Sequence, residues 1–252
     1  MMQVRLDKAL VERGLTTSRS RAQFMIKSGG ITINGALVER TSCPVNSEDV
    51  IEVIRDVNPW VSRAALKLEY AITTFKLAPL SGVAIDIGAS TGGFTEVLLH
   101  YGCRKVYAID VGKGQLASKI KSDDRVLNFE GINAKDLQSL NLPPVDVIVC
   151  DASFISLSKV IRVPLLAGKD GCQLIALIKP QFEVGPKRVG KRGIVKDTQY
   201  HESACSSVKV FLAQEGWNVT NLKKCPILGH EGNLEFLIAA KKTAIVSNLQ
   251  IS

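Results

Sequence analysis

Hydrophobic and polar positions change their spacing about a quarter of the way along the chain. From about residue 61, nearly continuous apolar runs alternate with stretches of helical periodicity. A run that is apolar at every position is typical of a strand buried on both faces of a parallel sheet. Five such strands are predicted: Val83–Ile87, Lys105–Asp110, Val126–Phe129, Val145–Asp151 and Cys172–Ile178. With a helix near Thr198–Gln214 and late strands over Val219–Cys225 and Leu234–Ala240, the pattern predicts a Rossmann-like, doubly wound α/β sheet.

In the first 54 residues the helical and strand patterns are each short, and together they predict a small α+β unit. Apolar residues at helical spacing predict two helices, over Arg5–Arg13 and Ser18–Ser28. Asn34-Gly35 stands between alternating apolar residues. This dipeptide favours the type I′ turn of a β-hairpin, because both turn residues must take positive φ. Val50–Ile54 predicts one further strand.

A linker is predicted at residues 55–60, because Asn58 precedes a proline and is therefore disfavoured in a helix. The predicted division is thus an N-terminal unit over 1–54, the linker, and an α/β domain over 61–252. The 252 residues are 46% hydrophobic and 22% charged, as in an ordinary globular protein. We find no apolar stretch near the roughly 18–20 residues that a membrane helix needs. The first residues also lack the apolar core of a secretory signal, so a cytoplasmic protein with no membrane contact is expected.

Cysteine and histidine spacing argues against a metal site. The six cysteines include no CxxC pair, and the three histidines are far apart in the sequence. Zinc sites and disulfide scaffolds both need closer or paired spacing. We therefore expect no metal, and reduced cysteines that fill the core.

Positive charge is concentrated in two segments. The formal net charge is +8, and residues 1–40 carry seven Lys and Arg against three acidic residues. Residues 179–196 carry six against Glu183 alone. An excess of this kind indicates a polyanionic partner, most simply a nucleic acid. Two solvated basic faces that touch nothing are the alternative.

The N-terminal unit offers a candidate surface for such a partner. On its second predicted helix Arg19, Gln23 and Lys27 are four residues apart and form one polar stripe. Residues 5–38 resemble the RNA-binding module first seen in small-subunit ribosomal protein S4. The resemblance implies that this surface meets the phosphates of structured RNA. It implies RNA contacts by Arg5, Arg19, Arg21, Gln23 and Lys27.

A glycine-rich turn after the first strand of the α/β domain predicts a ligand pocket. Open α/β sheets bind ligands at the carboxyl ends of their strands. Gly88, Gly92 and Gly93 allow a close approach of the backbone, and Ser90 or Thr91 can cap the following helix. The predicted cofactor-binding residues are Asp86, Gly88, Ser90, Thr91, Gly92, Gly93, Phe94, Asp110, Asn133 and Asp136.

Three ligands compete for this pocket. A phosphate-binding P-loop needs a lysine that is missing here, and a dinucleotide site needs the spacing GxGxxG. Asp86 would repel a pyrophosphate but suits a cationic group, as in S-adenosylmethionine. Asp110 ends the second strand, where a carboxylate can accept the ribose hydroxyls of either NAD or S-adenosylmethionine. Asn133 and Asp136 follow the third strand, beside the expected adenine. S-adenosylmethionine is therefore the expected cofactor.

Four ionisable residues occupy positions that a core would not favour. Asp151 and Lys179 end the fourth and fifth strands, and Glu235 lies among apolar strand residues. A buried carboxylate needs a partner, and Lys67 or Lys179 would serve. Lys67 lies on a predicted helix capped by Ser62, on the side opposite its apolar stripe, and so would be free to meet a ligand. A desolvated lysine can become neutral and accept a proton.

Lys67, Asp151, Lys179 and Glu235 resemble the Lys-Asp-Lys-Glu set of FtsJ-like ribose 2′-O-methyltransferases. Together with WVSRAALKL, DIGASTGGFT, DASFISL, LIKPQFEVG and EGNLEF, they resemble the TlyA (hemolysin A) family. The resemblance implies methyl transfer from S-adenosylmethionine to a ribose 2′-hydroxyl of ribosomal RNA in a ribosomal subunit. Those four residues would be catalytic. A basic segment would hold the RNA strand through Lys187, Arg188, Lys191 and Arg192.

Other functions remain possible at this point. Methyltransferases that act on base nitrogens usually carry Pro-Pro and an aromatic residue after the Asp or Asn of the fourth strand, and here Ala152-Ser153 follow Asp151. Base N-methylation is therefore the runner-up. A membrane-active hemolysin would need a membrane-inserting segment, which we do not find. A non-catalytic ribosome factor would not need the four charged residues.

Overall fold

The structure is a computed structural model that describes residues 3–16, 19–54, 58, 60–229 and 232–244, without the side chains of Ser20, Arg21 and Phe24. The chain divides into two compact units, Met1–Arg63 and Ala64–Ser252. Most of the predicted linker, namely residues 55–57 and 59, lies outside the described residues. Each unit is described by itself.

The N-terminal unit packs two short helices against small sheets. The helices are α1 (Leu6–Glu12) and α2 (Arg19–Lys27). Strands β2 (Ile31–Ile33), β3 (Ala36–Leu37) and β5 (Ile51–Val53) form an antiparallel sheet in the order β3-β2-β5, and β1 (Val4–Arg5) pairs with β4 (Pro44–Val45). Asn34 and Gly35 have φ of 51° and 79°, and Ile33 pairs with Ala36 across the turn. The predicted hairpin is confirmed.

A buried carboxylate joins the two helices of this unit. Asp7 on α1 has no exposed surface, yet it accepts hydrogen bonds from three side chains. Arg5 donates at 3.0 Å, Arg19 at 3.2 Å and Gln23 at 2.8 Å. These donors, Arg5 foremost, hold the pKa of Asp7 far below its usual range. Two members of the predicted polar stripe are thus also part of the packing between α1 and α2.

We expect Asp7→Asn to destabilise the N-terminal unit by about 1–3 kcal/mol, because hydrogen bonds to a charged acceptor are stronger than those to an amide. The depressed pKa of Asp7 means that its contribution is complete at neutral pH and is lost as the pH falls through the acid range. The difference between variant and wild type should therefore shrink on acidification. Hydrogen exchange of the α1 and α2 amides measures it.

Asp123→Asn is the matched control, because Asp123 also pairs with an arginine, Arg125, but at the surface of the other unit. Exposed pairs of this kind are worth about 0–1 kcal/mol. Equal small effects for the two variants would contradict a structural role for the buried carboxylate.

A seven-stranded sheet forms the centre of the C-terminal unit, in the order β11-β12-β10-β9-β6-β7-β8. The five adjacent strands β10, β9, β6, β7 and β8 pair in parallel, and β12 runs antiparallel to both of its neighbours, so β11 points the same way as those five. The strands are β6 (Val83–Ile87), β7 (Lys105–Asp110), β8 (Val126–Glu130), β9 (Val145–Cys150), β10 (Gly168–Ile178), β11 (Trp217–Lys224) and β12 (Phe236–Lys242). The predicted doubly wound α/β fold is confirmed, with boundaries that differ from prediction by a few residues.

Helices form two groups against this sheet. In one, α3 (Ala65–Phe75) packs on α4 (Gly93–His100). In the other, α6 (Leu157–Leu166) packs on α8 (Thr198–Gln214) and on a 3-10 helix over Ala134–Leu140. Short helices α5 (Ser118–Lys121) and α7 (Pro180–Glu183) and 3-10 turns over Pro186–Arg188 and Lys191–Gly193 complete the unit. Among the described helices, none has the length and apolar character needed to cross a membrane.

Two helix starts differ from the prediction. Helix α3 begins after Ala64, without the predicted side-chain cap from Ser62. Helix α4 begins after Gly92, and neither Ser90 nor Thr91 caps it. In both places the backbone turns directly into the helix, so a capping residue in the sequence was a misleading signal.

The chain order of the strands creates a crevice beside β6. From β6 the chain adds β7 and β8 on one side, and then returns to place β9 on the other. Loops that leave β6 and β9 therefore diverge to opposite faces of the sheet, and open α/β sheets bind ligands at such a switch point. The predicted catalytic and cofactor residues lie around this end of the sheet.

Candidate active site

A cavity of about 510 Å³ opens at the carboxyl ends of β6, β7 and β9. Its walls come from four loops that follow these strands and β8. The lining residues are Ile87, Gly88, Ser90, Ile109–Gly112, Gln115, Ile132–Ala134, Asp151–Ile155 and Val160. Of the predicted cofactor residues, Gly88, Ser90, Asp110 and Asn133 belong to this lining.

The glycine-rich turn is shaped by close contacts within the protein. At Gly88, φ is 80°, and a Cβ atom would lie 3.0 Å from Cα of Ala152 in the loop after β9. At Gly92, φ is 91°, and a Cβ atom would lie 2.9 Å from the Leu116 side chain. The sequence predicted close approach to a ligand at these glycines. In the described structure the close approach is to neighbouring loops of the same cavity.

Asp110 is held rigidly on the cavity wall. Its Oδ2 accepts a hydrogen bond from the backbone N–H of Ser90 at 2.8 Å, and its Oδ1 accepts one from Gly112 at 2.7 Å. The carboxylate therefore ties the turn after β6 to the loop after β7. Each oxygen has a second lone pair that a ligand hydroxyl can use.

Glu130, which is not one of the predicted site residues, organises the same wall. Its Oε1 accepts from the backbone N–H groups of Gln115 at 2.8 Å and Leu116 at 3.2 Å. These backbone donors, with Gly114 the largest contributor, lower the pKa of Glu130 to about 2. The signal was available, because an acidic residue at the end of the third predicted strand faces the loop after the second.

Asp86 lies behind the cavity wall and not on it. It has no exposed surface, and Oγ1 of Thr95 donates to its Oδ2 at 2.7 Å. Its Oδ1 has no hydrogen-bond partner among the described residues. Burial raises the pKa of Asp86 to about 7, and the negative charges of Asp151 and Asp110 add to the effect. Thr91, Gly92, Gly93, Phe94 and Asp136 are likewise not among the lining residues.

Asp86 should make the C-terminal unit less stable as the pH rises. Its pKa rises from 3.8 to about 7, so over this range the folded protein binds more protons than the unfolded chain. The free energy of unfolding then falls as the pH increases. Between pH 5 and pH 8, we expect the free energy of unfolding of Asp86→Asn to increase by about 1–3 kcal/mol relative to that of the wild type. Urea unfolding at several pH values measures this.

Asp124→Asn is the control, because Asp124 is an exposed aspartate of the same unit. Its stability relative to wild type should not change with pH over this range. If Asp86→Asn followed the same flat profile, Asp86 would not be a buried, hard-to-ionise carboxyl.

Two ion pairs, one buried and one partly buried, lie at the ends of β9, β10 and β12. Lys179 and Asp151 approach to 2.6 Å between Nζ and Oδ1, and Lys67 and Glu235 approach to 2.5 Å between Nζ and Oε2. Lys179 and Lys67 are 7% and 6% exposed, and Glu235 is 2% exposed. The structure thus pairs the four predicted catalytic residues two by two.

Sheet register explains why the two pairs are neighbours. Ile178 of β10 is opposite Phe236 of β12, so Lys179 and Glu235 extend adjacent strands at the same edge. Of the two partners considered for Glu235, the structure selects Lys67. The prediction that Lys67 lies free on the side of its helix away from the core was wrong, because its ammonium group is buried against this carboxylate.

Ser153 connects Lys179 to the cavity. The Lys179 ammonium donates to Oγ of Ser153 at 2.9 Å and to the carbonyl of Asp151 at 3.3 Å, in addition to its ion pair. Two hydrogen-bond acceptors and one carboxylate oxygen therefore surround the ammonium group. Ser153 lines the cavity, whereas Lys179 does not. Ser153 is not one of the predicted site residues, although it follows Asp151 by two residues.

The loops after β9 and β10 are fastened to each other. The Glu183 side chain accepts a hydrogen bond from the backbone N–H of Leu157 at 2.7 Å, where α6 begins. The rings of Phe154 and Phe182 lie 5.5 Å apart. These contacts, with the Lys179–Asp151 pair, join the loop after β9 to the loop after β10.

The predicted RNA-binding residues form two groups. Lys187, Arg188, Lys191 and Arg192 are all exposed, and the last three line a second cavity of about 500 Å³ with Lys196 and Tyr200. In the N-terminal unit Arg5, Arg19 and Gln23 surround Asp7, and Lys27 is exposed. The Arg21 side chain lies outside the described residues.

Comparison with known families identifies the chain. Residues 60–242 match the family model of the FtsJ-like methyltransferases, and residues 4–51 match that of the S4 domain. The chain belongs to the FtsJ-like methyltransferase family. The predicted resemblance is confirmed, and so is the presence of an S4 domain before the methyltransferase domain.

Several proteins similar to this FtsJ-like methyltransferase are named hemolysin A or TlyA. It is 39% identical to Hemolysin A of Brachyspira hyodysenteriae, over 93% of this chain and 98% of that protein. It is 38% identical to the 16S/23S rRNA (cytidine-2′-O)-methyltransferase TlyA of Mycobacterium tuberculosis, over 93% and 88%. A solved structure of a hemolysin-named protein from Streptococcus thermophilus is 35% identical, covers 96% of this chain and 90% of its own, and has a TM-score of 0.73.

Proposed function

We propose that this methyltransferase transfers a methyl group from S-adenosylmethionine to a ribose 2′-hydroxyl of ribosomal RNA. The observation that carries the proposal is the ion pair between buried Lys179 and cavity-lining Asp151, which lies next to the Lys67–Glu235 pair. Ser153, which accepts a hydrogen bond from Lys179, lines the same cavity. The TlyA relative, named as an rRNA (cytidine-2′-O)-methyltransferase, supports the same reaction.

The cavity at the switch point fits S-adenosylmethionine. Asp110 presents a fixed carboxylate that would accept the ribose hydroxyls of the cofactor, and Asn133 lies on the wall where the adenine would be. The unpartnered Oδ1 of Asp86 would favour a nearby cationic group from behind the turn. When bound, the cofactor would supply a methyl group made electrophilic by its sulfonium.

The lysine–carboxylate pairs would position and deprotonate the sugar hydroxyl. Lys179 would orient this hydroxyl by giving it an N–H that now contacts Asp151 or Ser153, and as an ammonium it has no lone pair with which to accept a proton. Asp151 lines the cavity and has lone pairs that can take the proton. Lys67 and Glu235 would hold the start of β12 beside Lys179, and their opposite charges would neutralise each other there. Positioning and proton removal account for most of such a barrier.

Lys179→Met removes the ammonium and keeps most of the side-chain length. We expect methyl transfer to fall by about 10²–10⁴-fold, the usual effect of losing one group from an acid–base site. Affinity for S-adenosylmethionine should change little, since Lys179 does not line the cavity. Tritium transfer from labelled cofactor to 30S and 50S subunits of a deletion strain gives the rate, and calorimetry gives the affinity.

Lys209→Met is the matched control, because Lys209 is an exposed lysine on α8. It should methylate at the wild-type rate. Full activity of Lys179→Met with normal cofactor binding would contradict the assigned chemistry. Mapping the modified nucleotide by its resistance to alkaline cleavage distinguishes ribose methylation from the runner-up, base N-methylation.

The S4 domain and the basic segment Lys187–Lys196 would hold the RNA. Arg188, Lys191, Arg192 and Lys196 line one cavity with a single acidic neighbour, Asp197, which favours an anionic partner. Contacts to phosphates position an RNA without reading its bases. The proposed partner is therefore ribosomal RNA folded within a subunit, and the protein would act in the cytoplasm, where ribosomes are made.

The double variant Lys191→Ala/Arg192→Ala should weaken binding to these subunits and reduce the salt dependence of binding. Each lost phosphate contact lowers the slope of log K against log[salt] by about 0.7–0.9. Cofactor affinity should not change. Filter binding at several salt concentrations measures the slope.

Lys223→Ala/Lys224→Ala removes the same charge from an exposed adjacent pair on β11 and serves as the control. If both double variants reduced the slope equally, the effect would reflect net charge and not the basic segment.

A further inference from the structure

One buried asparagine connects the basic segment to the strand end that carries Glu235. Asn233 is 4% exposed and precedes Glu235 by two residues. Its Nδ2 donates to the carbonyl of Gly193 at 2.9 Å, and its Oδ1 accepts from the backbone N–H of Val195 at 3.2 Å. The Asn233 side-chain amide thus bonds one carbonyl and one N–H in the middle of the basic segment, as the backbone of a neighbouring β-strand would.

A second contact holds the same part of the segment from helix α8. A ring nitrogen of His201, Nε2, lies 2.9 Å from the carbonyl of Val195. The His201 ring also packs against the ring of Phe236, 5.8 Å away, next to Glu235. Val195 is therefore held on both its N–H and its carbonyl, and its side chain is buried.

The basic segment has little of its own structure to hold this shape. Its internal backbone hydrogen bonds include Gly190 to Ile194 at 2.9 Å and Gly193 to Gly190 at 3.1 Å. Arg192 has φ of 65°, a left-handed conformation that costs a non-glycine residue about 1 kcal/mol or more. A loop of glycines and basic residues with a strained turn needs anchors from outside.

We propose that Asn233 is a positioning residue that holds the basic segment at a set place beside the lysine–carboxylate site. This inference rests on the proposed function and deepens it. The same short stretch of chain presents Glu235 to Lys67 and Asn233 to the basic segment. An RNA strand that binds the cationic side chains is thereby brought to a preset distance from Lys179.

The proposal predicts a specific pattern of kinetic change. In Asn233→Ala the segment loses both anchoring bonds, so the RNA must order it on binding. We expect the KM for 30S or 50S subunits of a deletion strain to rise about 5- to 30-fold, the equivalent of one or two net hydrogen bonds. The kcat should fall less than about threefold, and affinity for S-adenosylmethionine should not change. Backbone amides of residues 190–197 should exchange with deuterium faster.

His201→Phe tests the same anchor from the other side, since it keeps an aromatic ring against Phe236 but removes the bond to Val195. It should raise the KM for subunits in the same way. Thr220→Val is the matched control, because it removes a side-chain bond to a strand carbonyl, that of Ala239, on β11. It should leave the KM and the exchange of the segment unchanged.

The outcomes separate this proposal from the proposed function. Unchanged exchange of residues 190–197 in Asn233→Ala would overturn the positioning role, whatever the activity. A collapse of kcat with an unchanged KM would also overturn it, because Asn233 would then act on Glu235. If wild-type protein methylates neither subunit, the proposed function fails, and exchange together with filter binding still decides whether Asn233 holds the segment.

Discussion

The candidate site depends on the burial of two lysine–carboxylate pairs at one end of a β-sheet. A buried charge without a partner is too costly to keep, so each lysine and each carboxylate requires the other. Because the partners come from different elements, Lys67 from α3 and Glu235 from the approach to β12, pairing also fixes where those elements lie. Removing either carboxylate leaves a buried lysine without its partner, so the two pairs constrain the fold as well as the candidate chemistry.

The second constraint is the way the loops of the cavity are tied together. Asp110 joins the turn after β6 to the loop after β7, and Glu130 holds that loop from the end of β8. Glu183 and Lys179 join the loops after β9 and β10. Nearly all of these bonds involve a carboxylate, several of them on backbone N–H groups. Such bonds fix the shape of the pocket within the protein itself, so ligand binding costs little conformational entropy.

Much of the fold was predictable because its signals are local. Apolar runs located the strands of the parallel sheet, with β6 and β7 at their observed limits, and Asn34-Gly35 located the hairpin. Predictions of helix caps at Ser62, Ser90 and Thr91 failed, since whether a side chain reaches a free N–H depends on how the chain enters the helix. The roles of Glu130, Ser153 and Asn233 were missed for a related reason. Each acts on a residue far from it in sequence or across a loop.

The sequence alone determined the order of elements, the two-domain plan and the residue types at the strand ends, because hydrophobic periodicity and turn chemistry act over a few residues. Tertiary packing, by contrast, sets the pairing of Glu235 with Lys67 and of Asp151 with Lys179. It also decided that Asp86 is hidden behind the wall while Asp110 faces the cavity. Partner choice and burial follow from strand register and loop packing, and these join residues separated by up to 168 positions in the chain.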